Sequence, residues 1–254
     1  MSTRNFVYTG IIGIVVRNLG SGEIRIQESG DGGVSGSVTS ANEDFLDRVA
    51  LSEHEGRLDI SFPRSFNDAD ADLHLSVPDG IDFEATTGSA DVTAEVGLSA
   101  TKITTGSGDV TLDSVNDVRV TTGSGDISIQ TINGTAGQVT SGSGDISVGG
   151  ATGALQTRSA SGDVSIGELT GALRVNTASG DVNVGRTVGP IEGRSASGDI
   201  NIAVADQLPT WLELSSVSGE VMIGLEATER PAEGEPFVSI RANTASGDIS
   251  ISRA

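Results

Sequence analysis

Apolar and polar residues alternate in short runs along most of the chain. Val118 and Val120 precede one polar corner, and Ile127 and Ile129 follow it. A period of two is typical of β-strands that bury one face. The pattern therefore predicts many short strands that are joined by bends.

The bends share a short motif, of which residues 122–127 (TGSGDI) are one copy. Nine main copies follow one another with a period of about 18 residues, as in a repeat protein, and the interval before the last copy is longer. Glycine precedes the acid in eight of the nine. Residues 20–26 form an outlying, degenerate copy. The acidic residues of the nine copies are Asp91, Asp109, Asp126, Asp145, Asp163, Asp181, Asp199, Glu220 and Asp248.

Two strands and two bends in each period predict one coil of a β-solenoid, with coils stacked about 4.8 Å apart. A meander of antiparallel hairpins or a sandwich is the alternative, and the ladders of identical residues favour the solenoid. Strict alternation predicts that Thr122 and Ser124 face inward while Gly125 and Asp126 point outward. The repeated glycine indicates either a positive φ or a corner too tight for a Cβ.

We expect a single β-solenoid domain over residues 1–254. Residues 1–86 are predicted to form irregular coils or a cap, and residues 87–204 to form the regular 18-residue repeats. Residues 205–254 are predicted to form irregular coils with an insertion near 224–240. Because Ile249–Ala254 ends the chain on a core strand, we expect an open C-terminal edge that can pair with another copy, unless the insertion covers it.

Composition excludes several classes of function. The chain has no cysteine, so thiol and disulfide chemistry are excluded. Its net charge of −20 disfavours nucleic-acid binding. The apolar run Ile11–Val16 is too short to cross a bilayer, and no signal peptide is apparent. We therefore expect a cytoplasmic protein without direct membrane insertion; a peripheral membrane location or export by an unrecognised signal is the alternative.

The corner aspartates are candidates for weak cation binding, because stacked carboxylates repel one another. Calcium needs six to eight oxygen ligands, and only one bend per coil carries the acid, so the simpler interpretation is an outward aspartate that accepts hydrogen bonds. No cofactor and no defined metal site is predicted. The candidate cation ladder is Asp109, Asp126, Asp145, Asp163, Asp181 and Asp199.

Six basic residues share the outward face of the first strand of their coils. We expect them to pair with the corner aspartates; an electropositive stripe for an anionic polymer or a partner protein is the alternative. The six residues are Lys102, Arg119, Arg158, Arg174, Arg194 and Arg241.

Catalysis has little support in the sequence. The two histidines, His54 and His74, lie outside the regular repeats, and no Ser/His/Asp order or metal-ligand spacing accompanies them. A polysaccharide-cleaving β-helix is the enzyme alternative, but the regular coils lack the aromatic residues expected in a sugar cleft. We predict no catalytic residues and no enzyme activity.

Residues 75–80 (LSVPDG), residues 86–92 (TTGSADV) and the SGD[VI] series that follows resemble the bacterial putative-adhesin or toastrack family, a β-strand-repeat domain of unknown function. The resemblance implies a right-handed parallel β-helix without established catalytic residues. It also implies a link with envelope-stress or surface proteins.

From these features we predict a non-catalytic repeat scaffold or protein-interaction module that self-associates through its C-terminal edge. The alternative is an adhesin-like module that binds sugar or anionic polymers with the help of calcium. The identity of a protein partner is not predicted.

Overall fold

The computed structural model describes residues 1–30, 32–64, 70–226 and 237–254. The chain divides into two compact units, Met1–Ile129 and Gln130–Ala254. In both units, strands of successive coils pair in parallel, which confirms the predicted β-solenoid. Most of the predicted insertion, residues 227–236, lies outside the described residues.

Within its described residues, the first unit contains one short helix, α1 (Glu43–Asp47), and the strands up to the start of β12. Asn42 caps the helix, because its side chain accepts a hydrogen bond from the Phe45 N–H. The strands are β1 (Ser2–Tyr8), β2 (Gly13–Leu19), β3 (Glu23–Glu28), β4 (Val34–Ser40), β5 (Ala50–His54), β6 (Arg57–Ser61), β7 (Ala71–Val77), β8 (Ile81–Thr87), β9 (Asp91–Thr105), β10 (Val110–Val115), β11 (Val118–Thr122) and β12 (Ile127–Ile132).

Parallel strands form two faces of the first unit. One face has the order β6, β2, β8, β9 and β11, and the other has the order β7, β3, β9 and β10. Strand β9 joins both faces because it is 15 residues long. Glu23 lies in register with Asp91, so the degenerate copy of the motif also forms a corner.

Antiparallel strands flank the β6/β7 coil of the first unit. Strand β5 pairs with β6, and β4 pairs with both β7 and β1. Phe45 of α1 stacks on Phe62 with ring centroids 5.9 Å apart, and both rings are buried. These aromatic side chains supply core volume that the regular coils obtain from valine, isoleucine and leucine.

The second unit repeats one coil with few changes. Leu155 lies in register with Leu173, and Val164 lies in register with Val182. The corner residues Asp163 and Asp181 are hydrogen-bonded at the same separation of 18 residues, which is the length of one coil. The strands are β13 (Ala136–Ser141), β14 (Ile146–Ala151), β15 (Ala154–Ser159), β16 (Val164–Leu169), β17 (Leu173–Thr177), β18 (Val182–Thr187), β19 (Ile191–Arg194), β20 (Ile200–Val204), β21 (Thr210–Ser216), β22 (Val221–Ile223), β23 (Val238–Thr244) and β24 (Ile249–Arg253).

The order of the coils in space differs from their order in the sequence. On one face of the second unit, β19 pairs with β23 and β23 pairs with β21. On the other face, β20 pairs with β24 and β24 pairs with β22. The last coil of the chain therefore lies between two others. The prediction of an open edge at Ile249–Ala254 is wrong, because β24 has a parallel neighbour on each side.

The corner motif is also arranged differently from the prediction. Thr122 and Gly125 are buried, whereas Ser124 and Asp126 are exposed. The Gly125 N–H donates to the Thr122 Oγ1 at 3.0 Å. This hydrogen bond closes a turn that interrupts the alternation of the strands, so Ser124 does not fill the inner corner.

Close packing explains the repeated glycine. Among the described residues, the glycines of the regular corners have no positive φ. A Cβ on Gly125 would instead collide with the backbone carbonyl oxygen of Gly108 in the neighbouring coil, and Gly162 has the same relation to Gly144. Of the two explanations that the sequence left open, the structure supports the tight corner.

Candidate interaction surface

The outermost described coil of the second unit consists of β21 and β22, and we call it the end coil. Val221 and Ile223 occupy core positions, because they lie in register with Ile249 and Ile251. Ile249 and Ile251 are 0% and 1% exposed, whereas Val221 and Ile223 are 42% and 53% exposed. Core side chains of the end coil therefore remain accessible on the side away from β24.

Further apolar side chains extend this exposed area. Trp211 and Met222 point outward from the end coil and are 47% and 49% exposed, and Val217 lies exposed in the bend between its strands. In register with Trp211 and Met222, the neighbouring coil has the small polar residues Ser239 and Ser250. An exposed cluster of this kind is typical of a surface that contacts another molecule.

The backbone of the end coil is also available for pairing. Among the described residues, β21 pairs only with β23 and β22 pairs only with β24. No strand of the described residues pairs with the opposite edge of β21 or β22, where N–H and C=O groups are available for pairing. The end coil therefore combines unpaired strand edges with accessible core positions.

Every ionisable side chain in the segment 205–226 is acidic. They are Asp206, Glu213, Glu220 and Glu226, and the segment contains no lysine and no arginine. Glu213 contacts the Arg241 guanidinium of the neighbouring coil at 2.6 Å. The other three also lie exposed at the surface. The neighbouring coil contributes Arg241, which pairs with Glu213, and Arg253, whose guanidinium donates to the Ala205 and Leu208 carbonyls. Acidic side chains therefore outnumber basic ones around the described end coil.

The corner aspartates form a hydrogen-bonded ladder within each unit. In the first unit, Asp109 Oδ1 accepts the Asp126 N–H at 2.8 Å. In the second unit, Asp163 Oδ1 accepts the Asp181 N–H at 2.8 Å, and the ladder ends where the Glu220 N–H donates to Asp248 Oδ1 at 2.8 Å. Asp145, Asp181 and Asp199 accept an N–H in the same way.

These carboxylates are thus already engaged with backbone N–H groups that the corner would otherwise leave to water. Within the described ranges, no group of three or more His, Cys, Asp or Glu side chains is placed to hold a metal ion. Cation binding by the ladder stays a prediction.

Contrary to the prediction, four of the six basic residues form ion pairs with glutamates and not with the corner aspartates. Lys102 donates to Glu84 at 2.8 Å, and Arg241 contacts Glu213. Arg174 and Arg194 both contact Glu192, at 2.7 and 2.8 Å. The partners are glutamates that lie on the same outward faces as the basic residues.

Cross-strand register explains these ion pairs. In the second unit, Arg174, Glu192, Arg241 and Glu213 occupy equivalent positions of four successive coils, so positive and negative side chains alternate. Arg119, in register with Lys102, and Arg158, which lies between Thr140 and Asn176, have no ion pair with any residue that the structure describes. The predicted stripe is therefore a column of mixed charge in the second unit.

The Lys102 ammonium changes the acidity of Glu84. Its hydrogen bond lowers the pKa of the Glu84 carboxyl, and partial burial of the carboxyl opposes this effect. Glu84 also lies 3.7 Å from the Arg57 guanidinium, across a groove of ≈ 500 Å³ in the first unit. Ser52 and His54 line the same groove, but the described part of the chain shows no hydrogen bond between them, so it offers no nucleophile–base pair.

The sequence comparison identifies the family of this fold. Residues 13–252 match the family model Toastrack DUF4097. The chain belongs to the toastrack DUF4097 family. This result confirms the resemblance that the corner motifs indicated. Toastrack DUF4097 is a domain of unknown function and not a known enzyme family. No curated protein matches the chain.

Solved structures share the toastrack fold at low sequence identity. A putative adhesin from Parabacteroides distasonis is 11% identical with a TM-score of 0.60, and the match covers 98% of this chain and 96% of that chain. A putative adhesin from Bacteroides fragilis is 14% identical with a TM-score of 0.50, with 98% and 97% covered. A putative lipid binding protein from Parabacteroides distasonis is 18% identical with a TM-score of 0.52, with 98% and 96% covered. At these identities the likeness shows the fold alone.

The exposed end coil of this toastrack chain is not among the features that the repeats predict. Two features of the sequence point to it. Two residues after the corner acid, this coil carries Met222, whereas the other coils carry Thr, Ser or Asn. Trp211 is the only tryptophan of the chain. His74 is exposed on β7, as predicted. In the described residues, no helix is both long and apolar enough to cross a membrane.

Proposed function

We propose that this protein is a non-catalytic protein-interaction module and that the end coil is its binding surface. The observation that carries the proposal is the exposure of Val221 and Ile223 at positions that are buried in the neighbouring coil. A partner that covers these side chains removes apolar area from water and gains hydrogen bonds from the open strand edges.

The rest of the described surface supports an interaction role over catalysis. The groove in the first unit is lined by ion-paired side chains, including Arg17 and Asp59 at 2.9 Å, and the His54 side chain in the same groove makes no hydrogen bond to a described residue. The regular coils present small polar residues such as Ser147 and Ser165 in register. We assign no catalytic residues.

The second candidate function is adhesion to a sugar or an anionic polymer at a cell surface. The adhesin names of two structural neighbours favour it. The alternation of Arg174, Glu192, Arg241 and Glu213 weakens it for anionic polymers, because each positive charge is neutralised by a neighbour. We therefore place the interaction at the end coil.

A quantitative pull-down tests the proposal. The parent chain, an Ile223→Lys variant and a Val7→Lys control are immobilised, and bound proteins from an extract of the source cells are identified by mass spectrometry. Val7 is a suitable control because it is 74% exposed on β1 of the first unit. We expect at least one identified protein that binds the parent and the control but not Ile223→Lys. Equal recovery on all three would contradict the proposal.

A further inference from the structure

The charge of the end coil indicates what kind of partner fits it. Its exposed core positions can contact apolar side chains of a partner, and its open strand edges can pair with an extended backbone. Around them lie the exposed carboxylates of Asp206, Glu220 and Glu226, whereas Arg241 and Arg253 of the neighbouring coil already contact Glu213 and backbone carbonyls. A strand that alternates apolar with basic residues satisfies all three properties.

We infer that the end coil accepts an extended basic segment of another protein as an added β-strand along β21. The inference rests on the proposed function and names the partner class of the same surface. The apolar side chains of the segment cover the core end at Leu214, Val221 and Ile223. Its lysine or arginine side chains face the exposed carboxylates on the outer surface.

The end of the aspartate ladder supports this inference. At the inner corners of the second unit, the carboxylate accepts an N–H from the next coil, as Asp199 does from Asp248. The Glu220 carboxylate is exposed and accepts no N–H from any described residue, since its coil is the outermost one. A partner can therefore engage this group with a backbone N–H or a basic side chain.

A second copy of this chain fits the surface less well. Two end coils face to face bring the same carboxylates together, and each chain carries a net charge of −20. Like charges placed opposite one another across a strand pair are destabilising. Electrostatic complementarity thus favours a basic segment of a different protein.

Trp211 gives a direct measurement, because it is the only tryptophan and lies half-exposed on β21. Its fluorescence is recorded while a synthetic peptide of alternating valine and lysine is added to the 254-residue chain. A peptide of alternating valine and glutamate is the matched probe. Parent, Ile223→Lys and Val7→Lys proteins are compared, after circular dichroism has shown that each is folded.

We expect a saturable blue shift of the Trp211 emission with the lysine peptide in the parent and in Val7→Lys. Ile223→Lys is expected to bind at least about tenfold more weakly, because it places a positive charge where an apolar side chain must dock. The glutamate peptide is expected to cause no shift. Added salt is expected to weaken the binding of the lysine peptide, since the carboxylates are exposed.

An equal response to both peptides, unchanged binding by Ile223→Lys, or no response at all would overturn the inference. Light scattering separates this failure from failure of the proposed function. If the parent is a dimer and Ile223→Lys is a monomer, the partner is a second copy; the inference is then wrong, but the interaction module stands. If both are monomers, no peptide binds and the pull-down is negative, the proposed function fails as well.

Discussion

Three residue types perform separate tasks at most of the regular corners. A threonine or serine hydroxyl accepts the N–H that closes the turn, as Thr177 does from Gly180 at 3.0 Å. Glycine leaves room for the carbonyl of the adjacent coil. The aspartate links one coil to the next through a backbone N–H. The repeated motif predicts a corner with an outward acid. It does not reveal the turn hydrogen bond that interrupts the alternation and leaves Ser124 exposed.

Replacing a corner glycine is expected to be costly. In Gly162→Ala, the new Cβ collides with the Gly144 carbonyl, so neighbouring coils must separate locally. We expect a loss of about 2 kcal/mol or more in the free energy of unfolding, measured by urea denaturation. Gly150→Ala is the control, because its Cβ would lie 4.0 Å from the nearest atom, the Glu168 oxygen. An equal loss in both variants would contradict the close-packing explanation.

The aspartate ladder gives a second prediction at this scale. Asp163→Ala removes the acceptor of the Asp181 N–H and is expected to lower the free energy of unfolding by about 0.5–1.5 kcal/mol. Asp163→Asn keeps an oxygen acceptor and removes repulsion between carboxylates, so we expect a smaller loss or none. Thermal unfolding of both variants is the measurement, and an alanine variant as stable as the parent would show that the bond contributes nothing.

The strands of each coil repeat a two-residue pattern that fixes which side chains are buried. Parity and the 18-residue period were sufficient to predict parallel stacking, because identical residues then lie in register. The same period could have revealed the ion pairs. Glu84 and Lys102 are separated by one coil length, 18 residues, and so are Arg174 and Glu192. Register across neighbouring coils, and not proximity to the corner along the chain, decides which carboxylate these basic residues contact.

The order of the coils in space can be tested at Ile223 and Ile251, which lie in register on neighbouring coils. Ile251 is 1% exposed and Ile223 is 53% exposed, although both face the core of the second unit. Ile251→Ala is expected to lower the free energy of unfolding by about 2–5 kcal/mol, and Ile223→Ala by about 1 kcal/mol or less. Chemical denaturation measures both. A larger loss for Ile223→Ala would mean that β22, and not β24, lies inside.

For the whole molecule, the period in the sequence could predict the fold but not the order of the coils. Coils of equal length and similar core residues can stack in any order that the connecting segments permit. In the first unit, β2 lies between β6 and β8, and in the second unit, β24 lies between β20 and β22. The position of the end coil depends on this order, so the sequence placed the open edge at the wrong coil.

The excess of carboxylates makes the pH dependence of stability a property of the whole chain, and Glu84 is one contributor. The fold lowers the pKa of Glu84, so its stabilising effect is complete above the pKa that this carboxyl has in the unfolded chain and is lost as the pH falls through the folded value. Lys102→Met is therefore expected to lower the Tm near pH 6 and to approach the parent near pH 3. Arg119→Met is the control, and the same pH dependence in both would contradict a specific role for Lys102.

Hydrogen–deuterium exchange of the free protein tests the central claim, that the coil of residues 210–223 is the exposed end of the second unit. Strand β24 pairs with β20 on one side and with β22 on the other, so the amides of Ile249–Ile251 are expected to exchange slowly. The amides of Val221–Ile223 border an open edge and are expected to exchange much faster. Equal protection of the two segments, or faster exchange at Ile249–Ile251, would contradict the account.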